Sequence, residues 1–172
     1  MAHTYSSPHS KDVTYYPSPV PRVLPNWIFD FAIGLVGGEK EQMIGQLLQE
    51  VYAAGRGGQY RLATMGIRSV LEHVMIAKVG DYHKFSETLE QFYKAGYISL
   101  MQRDTLNESL EAGHAATHRF FNPTELDLDI LLNITEGILA AIYIHPDQAE
   151  FLSKRVPPRV TPGSGKKCQP KT

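Results

Sequence analysis

Residues 58–79, GQYRLATMGIRSVLEHVMIAKV, constrain the fold more than any other stretch. Ala63, Ile67, Val70, Leu71, Val74 and Lys78 recur at three- and four-residue spacing, so on a helix they share one face. The lysine marks where that face reaches solvent. Met65 and Ile76 add apolar surface on other sides, which predicts a central helix. The same period runs through Met43, Ile44, Leu47, Leu48 and Val51 over 39–54, and GRGG at 55–58 reads as a turn between two helices.

Further along, KFSETLEQFYKAGYI (84–98) predicts a shorter amphipathic helix stopped at Gly96. Leu100, Leu106, Leu110 and Ala115 carry helical spacing through 99–119. In NPTELDLDILLNITEGILAAIYIHP (122–146), Asn122 is the expected N-cap, with Pro123 at the first helical position and Glu125 in the first turn. Glu125, Asp127 and Asp129 lie where the helix dipole favours negative charge, and the helix is expected to end near Ile144, before His145-Pro146. Upstream, PNWIFDFAIGLVGG (25–38) predicts a short helix capped by Asn26 and stopped at Gly37-Gly38. It is apolar on nearly every side apart from Asp30, so it should be buried against the domain or against a second copy. Alternating β-branched runs and hairpin turns are nearly absent. The fold class is therefore all-α, a bundle of five or six helices.

Three segments follow. Residues 1–25, rich in Pro, Ser and Tyr, read as an extended arm whose tyrosines lie against the body. Residues 26–152 form the helical domain. Residues 153–172 read as a disordered basic tail. The net charge of −1 hides an asymmetry: that tail holds six basic residues and no acid, leaving eleven basic against eighteen acidic side chains, −7, on the rest. Such a body does not suit a dedicated duplex-DNA binder, which presents a basic folded face. The tail serves either solubility or salt-dependent contact with nucleic acid. The one cysteine, Cys168, lies in the tail and has no internal partner, which points to a reducing compartment. With no signal-like start and no apolar run near the roughly 18 residues that span a bilayer, a soluble cytoplasmic protein without membrane contact is expected.

The unusual chemistry lies in SLEAGHAATHRFFNP, residues 109–123. His114 and His118 are one helical turn apart, and Arg119 follows at once. Two imidazoles at this spacing can share a zinc ion, but a third ligand would have to come from elsewhere and there is no HExxH glutamate. They can instead move protons beside an arginine that stabilises phosphate charge, as RNA cleavage requires. Or they belong to a packed helix end, where the small residues of GHAATH permit close approach and imidazoles bond across the contact. On the central helix, Arg68 and Glu72 are spaced to form an ion pair, and they would orient His114 or His118 if that side faced another helix or subunit. His73 reads as a helix-face residue and His83 as a loop or cap residue. No phosphate-cradling glycine loop, dinucleotide fingerprint or nucleophile elbow is found.

Four stretches, YYPSPVPRVLPNW, YRLATMGIRSVLEHVMIAKVGD, KFSETLEQFYKAGYIS and LEAGHAATHR, resemble a bacterial family of unknown function. That family occurs as small standalone proteins and as an appendage on type I restriction-enzyme subunits, and it is similar to the HEPN superfamily of helical domains. Active HEPN ribonucleases carry an arginine, often followed by Asn, Asp or His, and a histidine five positions after the arginine; they work as metal-free dimers. The resemblance places the histidine at His118, the polar second position at His114 and the arginine position at Gly113. Glycine can neither grip a scissile phosphate nor stabilise its charge. What the resemblance implies is an HEPN-like homodimer without a cofactor or metal, a non-catalytic module. It would bind a nucleotide, nucleic acid or protein partner in a bacterial defence or restriction setting. The alternative is a metal-independent endoribonuclease with His118 as general base, His114 as acid or orienter, and Arg119 or Arg68 on the phosphate.

Overall fold

A computed structural model describes residues 22–157. Its elements are α1 (Trp27–Ala32), α2 (Glu39–Arg56), α3 (Tyr60–Val79), α4 (Phe85–Lys94), α5 (Leu100–His118), α6 (Glu125–Leu139) and α7 (His145–Ser153). A π-helical turn, Ala140–Ile144, joins α6 to α7. The last two helices thus form one long rod, and the bundle has six rods among the described residues, with no strand.

α3 is the axis, as its apolar faces require: α2, α4, α5 and α6 all pack on it, while α1 packs on α2. Its Ala63, Ile67, Val70, Leu71, Val74 and Met75 are at most 1% exposed. Leu48 and Val51 of α2, Phe92 of α4, Leu106 and Leu110 of α5 and Leu132 and Leu139 of α6 complete one core. Close approach is set by small residues. At Gly45, a Cβ would sit 2.7 Å from the Ala32 Cα, so only glycine lets α1 cross α2 there. Lys78 does not run free into solvent: its Nζ lies 3.3 Å from Glu41 and 4.0 Å from the centre of the Tyr143 ring.

Three sequence expectations need correction. α1 ends at Ala32, before Gly37-Gly38, because Gly34 takes a φ of +80° and lets the Leu35 N–H reach back to the Asp30 carbonyl. Within the single chain α1 buries Ile28 and Phe31 and leaves Phe29, Ile33 and Leu35 exposed. The cap of α6 is Thr124, not Asn122. The Thr124 hydroxyl accepts from the Asp127 N–H while the Asp127 carboxylate accepts from the Thr124 N–H at 2.8 Å. Asn122 is instead held by Arg61 at 3.4 Å. Finally, the helix does not stop before His145-Pro146. Proline has no N–H to donate, and the π turn shifts the bonding register so that Pro146 falls in the first turn of α7, where none is needed.

The arm is first described at Arg22, an anchor that the expectation of tyrosines against the body did not include. Its guanidinium forks onto α6, to Glu136 at 2.8 Å, Asn133 at 2.7 Å and Asp129 at 3.3 Å, and the buried Tyr52 hydroxyl donates to the same Glu136. Burial first, and the charge and hydrogen bond of Glu136 second, push the Tyr52 phenol well above the usual tyrosine range. The tyrosines of the arm and most of the basic tail lie outside the described residues. Taken as one helix, Glu125–Ser153 is long and apolar enough by composition to cross a membrane, which no single apolar run suggested; half of its most apolar window is buried in the bundle, as in a core helix.

Candidate functional site

α3 and α5 run antiparallel, and that register decides what the end of α5 can do. The Thr64 carbonyl and the Arg68 Cβ both lie against Gly113, the Arg68 Nη1 donates to the Leu110 carbonyl at 2.8 Å, and Arg61 reaches Asn122. The first turn of α3 therefore sits beside the last turn of α5. At the crossing a Cβ on residue 113 would stand 2.6 Å from the Arg68 Cβ. Glycine is required here by space, so the absence of an arginine at this position has a packing cause.

Arg68 is committed elsewhere. Beyond its bond to Leu110, its guanidinium lies 4.6 Å from the centre of the Phe85 ring, a cation–π contact with α4. The expected ion pair with Glu72 is not formed, and Glu72 is half-buried with no ion pair or side-chain hydrogen bond among the described residues. No hydrogen bond joins Arg68 to either imidazole. The side of α3 that carries Arg68 does face another helix, but it fastens the α3–α5 crossing and orients neither histidine.

His114 and His118 stack one turn apart with ring centroids 4.7 Å from each other and planes tilted by 48°. His114 is half-buried and His118 exposed, and neither ring makes a hydrogen bond among the described residues. Arg119 stands at the helix C-cap and pairs with Glu111, two turns back on the same helix. The imidazoles thus open to solvent beside a self-neutralised ion pair. Immediately beyond, Phe120 adopts a φ of +55° with its ring 91% exposed, and the Phe121 N–H turns back to the Ala115 carbonyl. A left-handed non-glycine residue with an exposed aromatic ring is an uncommon pairing.

Next to this loop, Gln59, Tyr60, Arg61, Leu62, Asn122 and Pro123 line a shallow cavity of about 380 Å³. Arg61, on α3, is brought to the α5 end through its contact with Asn122. What reveals it is the antiparallel pairing of two helices forty residues apart. Two other described histidines, His73 and His83, are engaged locally. His73 turns back to its own helix at the Ser69 carbonyl, 2.7 Å, and His83 sits in a loop with a φ of +63° and its N–H on Asp81. Among the described residues no group of three His, Cys, Asp or Glu side chains gathers as a metal site, so the imidazole pair has no third ligand there.

Comparison with known proteins gives no match among curated proteins or solved structures. Residues 49–155 do match a family described as a domain of unknown function, DUF4145, and they span α3 to α7 together with the last turns of α2. The match covers most of the chain, including the α3–α5 crossing and both imidazoles, and the protein belongs to that family.

Proposed function

We propose that this protein is a non-catalytic, HEPN-like helical module. It dimerises and uses the exposed end of α5 to bind an anionic ligand, a nucleotide or a stretch of RNA, in a bacterial defence or restriction setting. The observation that carries this reading is the packing at Gly113. The position where an HEPN ribonuclease would hold its phosphate-gripping arginine is filled by the Arg68 side chain, which is itself tied to Leu110 and Phe85. The exposed His118 imidazole with the half-buried His114 beside it, Arg61 and the exposed Phe120 remain as a surface with hydrogen-bond donors and an aromatic platform, suited to holding a nucleotide without attacking it.

The test is direct. The full chain is incubated with a labelled single-stranded RNA in EDTA and its affinity is followed by fluorescence anisotropy. The expected result is intact RNA and binding that weakens at least about tenfold in the His114→Ala/His118→Ala double variant, since two lost hydrogen bonds at about 0.5–1.5 kcal/mol each total about 1–3 kcal/mol. The free state of both rings keeps one rival reading in play, a metal-independent endoribonuclease in which His118 is the base. EDTA-resistant cleavage leaving a 2′,3′-cyclic phosphate, and lost in His118→Ala, would establish that rival and overturn the binding-module reading.

A further inference from the structure

We infer that the outer face of α6 is the seat of the N-terminal arm, with residues 15–21, YYPSPVP, lying along it from Asn133 toward the first turn of the helix. At about 100° per residue, Leu128, Leu131, Leu132, Thr135, Ile138 and Leu139 of α6 point together into the core. Leu126, Ile130, Asn133 and Gly137 fall within an arc of roughly 60° on the opposite side. The outward face of such a helix is ordinarily polar. Here it exposes Leu126 by 68% and Ile130 by 49%, and Gly137 beside them has open space where a Cβ would stand.

The arm is already fastened to this stripe. Arg22 donates to Asn133, within it, at 2.7 Å, and to Asp129 and Glu136 on its flank. Downstream of Arg22 the chain runs toward the C-terminal end of α6, where the Phe31 ring lies 5.0 Å from that of Tyr143. The same course followed upstream leads toward the start of α6, over Ile130 and Leu126. Leu126 is seven residues before Asn133, about 10 Å at 1.5 Å per residue. An extended proline-rich segment rises about 3.1 Å per residue, so Ser18, Pro19 and Val20 come over the two exposed side chains. Tyr15 and Tyr16 then come to the end of the bundle that holds the cavity of Arg61, Leu62 and Asn122. The chemistry of the segment matches the seat. Residues 13–21, VTYYPSPVP, carry no charge, and their prolines favour an extended backbone that needs no hydrogen-bond partners. A helix surface supplies none, because its own N–H and C=O groups are bonded within it. Apolar contact is therefore the whole of the attraction, and a stiff segment loses little freedom in making it. A second copy would bear the full entropy of association, whereas the Arg22 tether holds this segment at an effective concentration on the order of millimolar.

Spin labelling of the full chain tests this. A nitroxide is attached at Ser18→Cys in a Cys168→Ser background, and backbone amide signals are read by NMR. Broadening is expected over the first two turns of α6, residues 125–131, and not in α7, about 30 Å further along the rod. In a Leu126→Glu/Ile130→Glu variant that broadening should fall at least threefold. Both positions are exposed, so the chemical shifts of α3 and α5 should stay native in that variant. Sharp α6 amides in the labelled chain, or broadening centred on another helix, overturn the assignment. Mixing spin-labelled chains at natural abundance with unlabelled ¹⁵N chains separates the two possible sources of the arm. Sharp ¹⁵N signals are expected; broadening of α6 in the ¹⁵N chain would mean that the arm of a second copy lies there, and would overturn a strap within one chain.

Discussion

Gly113 shows how much a single position can decide. The resemblance to HEPN ribonucleases implies an arginine at this position, but the reason for glycine lies in α3, where the Arg68 Cβ would be 2.6 Å from any new Cβ. The backbones cannot separate without opening the crossing, so Gly113→Ala should lower stability by about 1–3 kcal/mol, the usual cost of overpacking a tight contact. Denaturant unfolding measures it, and the loss should shrink when Arg68→Gly is added, since that change removes the obstructing Cβ. Equal losses in both backgrounds would mean that the Thr64 backbone, and not Arg68, limits the space. Arg22 behaves in the opposite way. Nothing near it in sequence signals its partners, because Asp129, Asn133 and Glu136 lie more than a hundred residues away and become one face only when α6 winds into a helix. Arg22→Ala removes the cation from a half-buried carboxylate, and a destabilisation of about 1–3 kcal/mol is expected by the same measurement.

At the scale of elements, periodicity was a reliable guide where a helix buries one broad face, and α2, α3, α4 and α5 lie close to where their apolar repeats place them. It failed where ends are set by local hydrogen bonding. Pro123 suggested a first helical position and Asn122 a cap, but Asn122 is drawn to Arg61 across the bundle and the capping role passes to Thr124. Pro146 read as a stop because a proline inside a regular α-helix forfeits a bond; a π turn that changes the register carries no one-dimensional signature. The Thr124 cap gives a test at this scale. Its backbone N–H and hydroxyl hold the Asp127 carboxyl below the ordinary aspartate range. A depressed folded-state pKa stabilises the protein at all pH values above the ordinary aspartate value, and that contribution disappears as pH falls through the folded-state value. Loss of the cap bond from the Asp127 N–H to the Thr124 hydroxyl should make Thr124→Ala cost about 1 kcal/mol at neutral pH. Relative to the native chain it should also flatten the loss of melting temperature below about pH 4. A parallel shift of both curves at all pH values would mean that the backbone N–H, which this substitution leaves in place, holds Asp127 without help from the hydroxyl.

For the whole molecule, the site is partly legible in sequence for a simple reason: His114, His118 and Arg119 are neighbours on one helix, whereas Arg61, Asn122 and the obstruction by Arg68 exist only after α3 and α5 have paired. The same division applies to charge. The segment before the tail carries −7, and a surface of that sign repels a polyanion at long range, so nucleic acid must be drawn in by local positive groups or by the basic C-terminal residues. Four of the six tail charges, Arg159, Lys166, Lys167 and Lys171, follow Pro157. If they contact phosphates, each releases about 0.7 of a counterion from a single strand, and removing all four lowers the slope of log affinity against log salt by about 3. Truncation after Pro157 is therefore expected to weaken RNA binding at low salt and to flatten its salt dependence by about that amount, without altering the melting temperature of the helical body. The His114→Ala/His118→Ala double variant should act differently, lowering affinity at every salt concentration with a smaller change of slope. A truncated chain that keeps both the affinity and the slope would place the whole contact on the folded surface, where Arg61, Arg119 and the two imidazoles are the groups gathered at the α5 end.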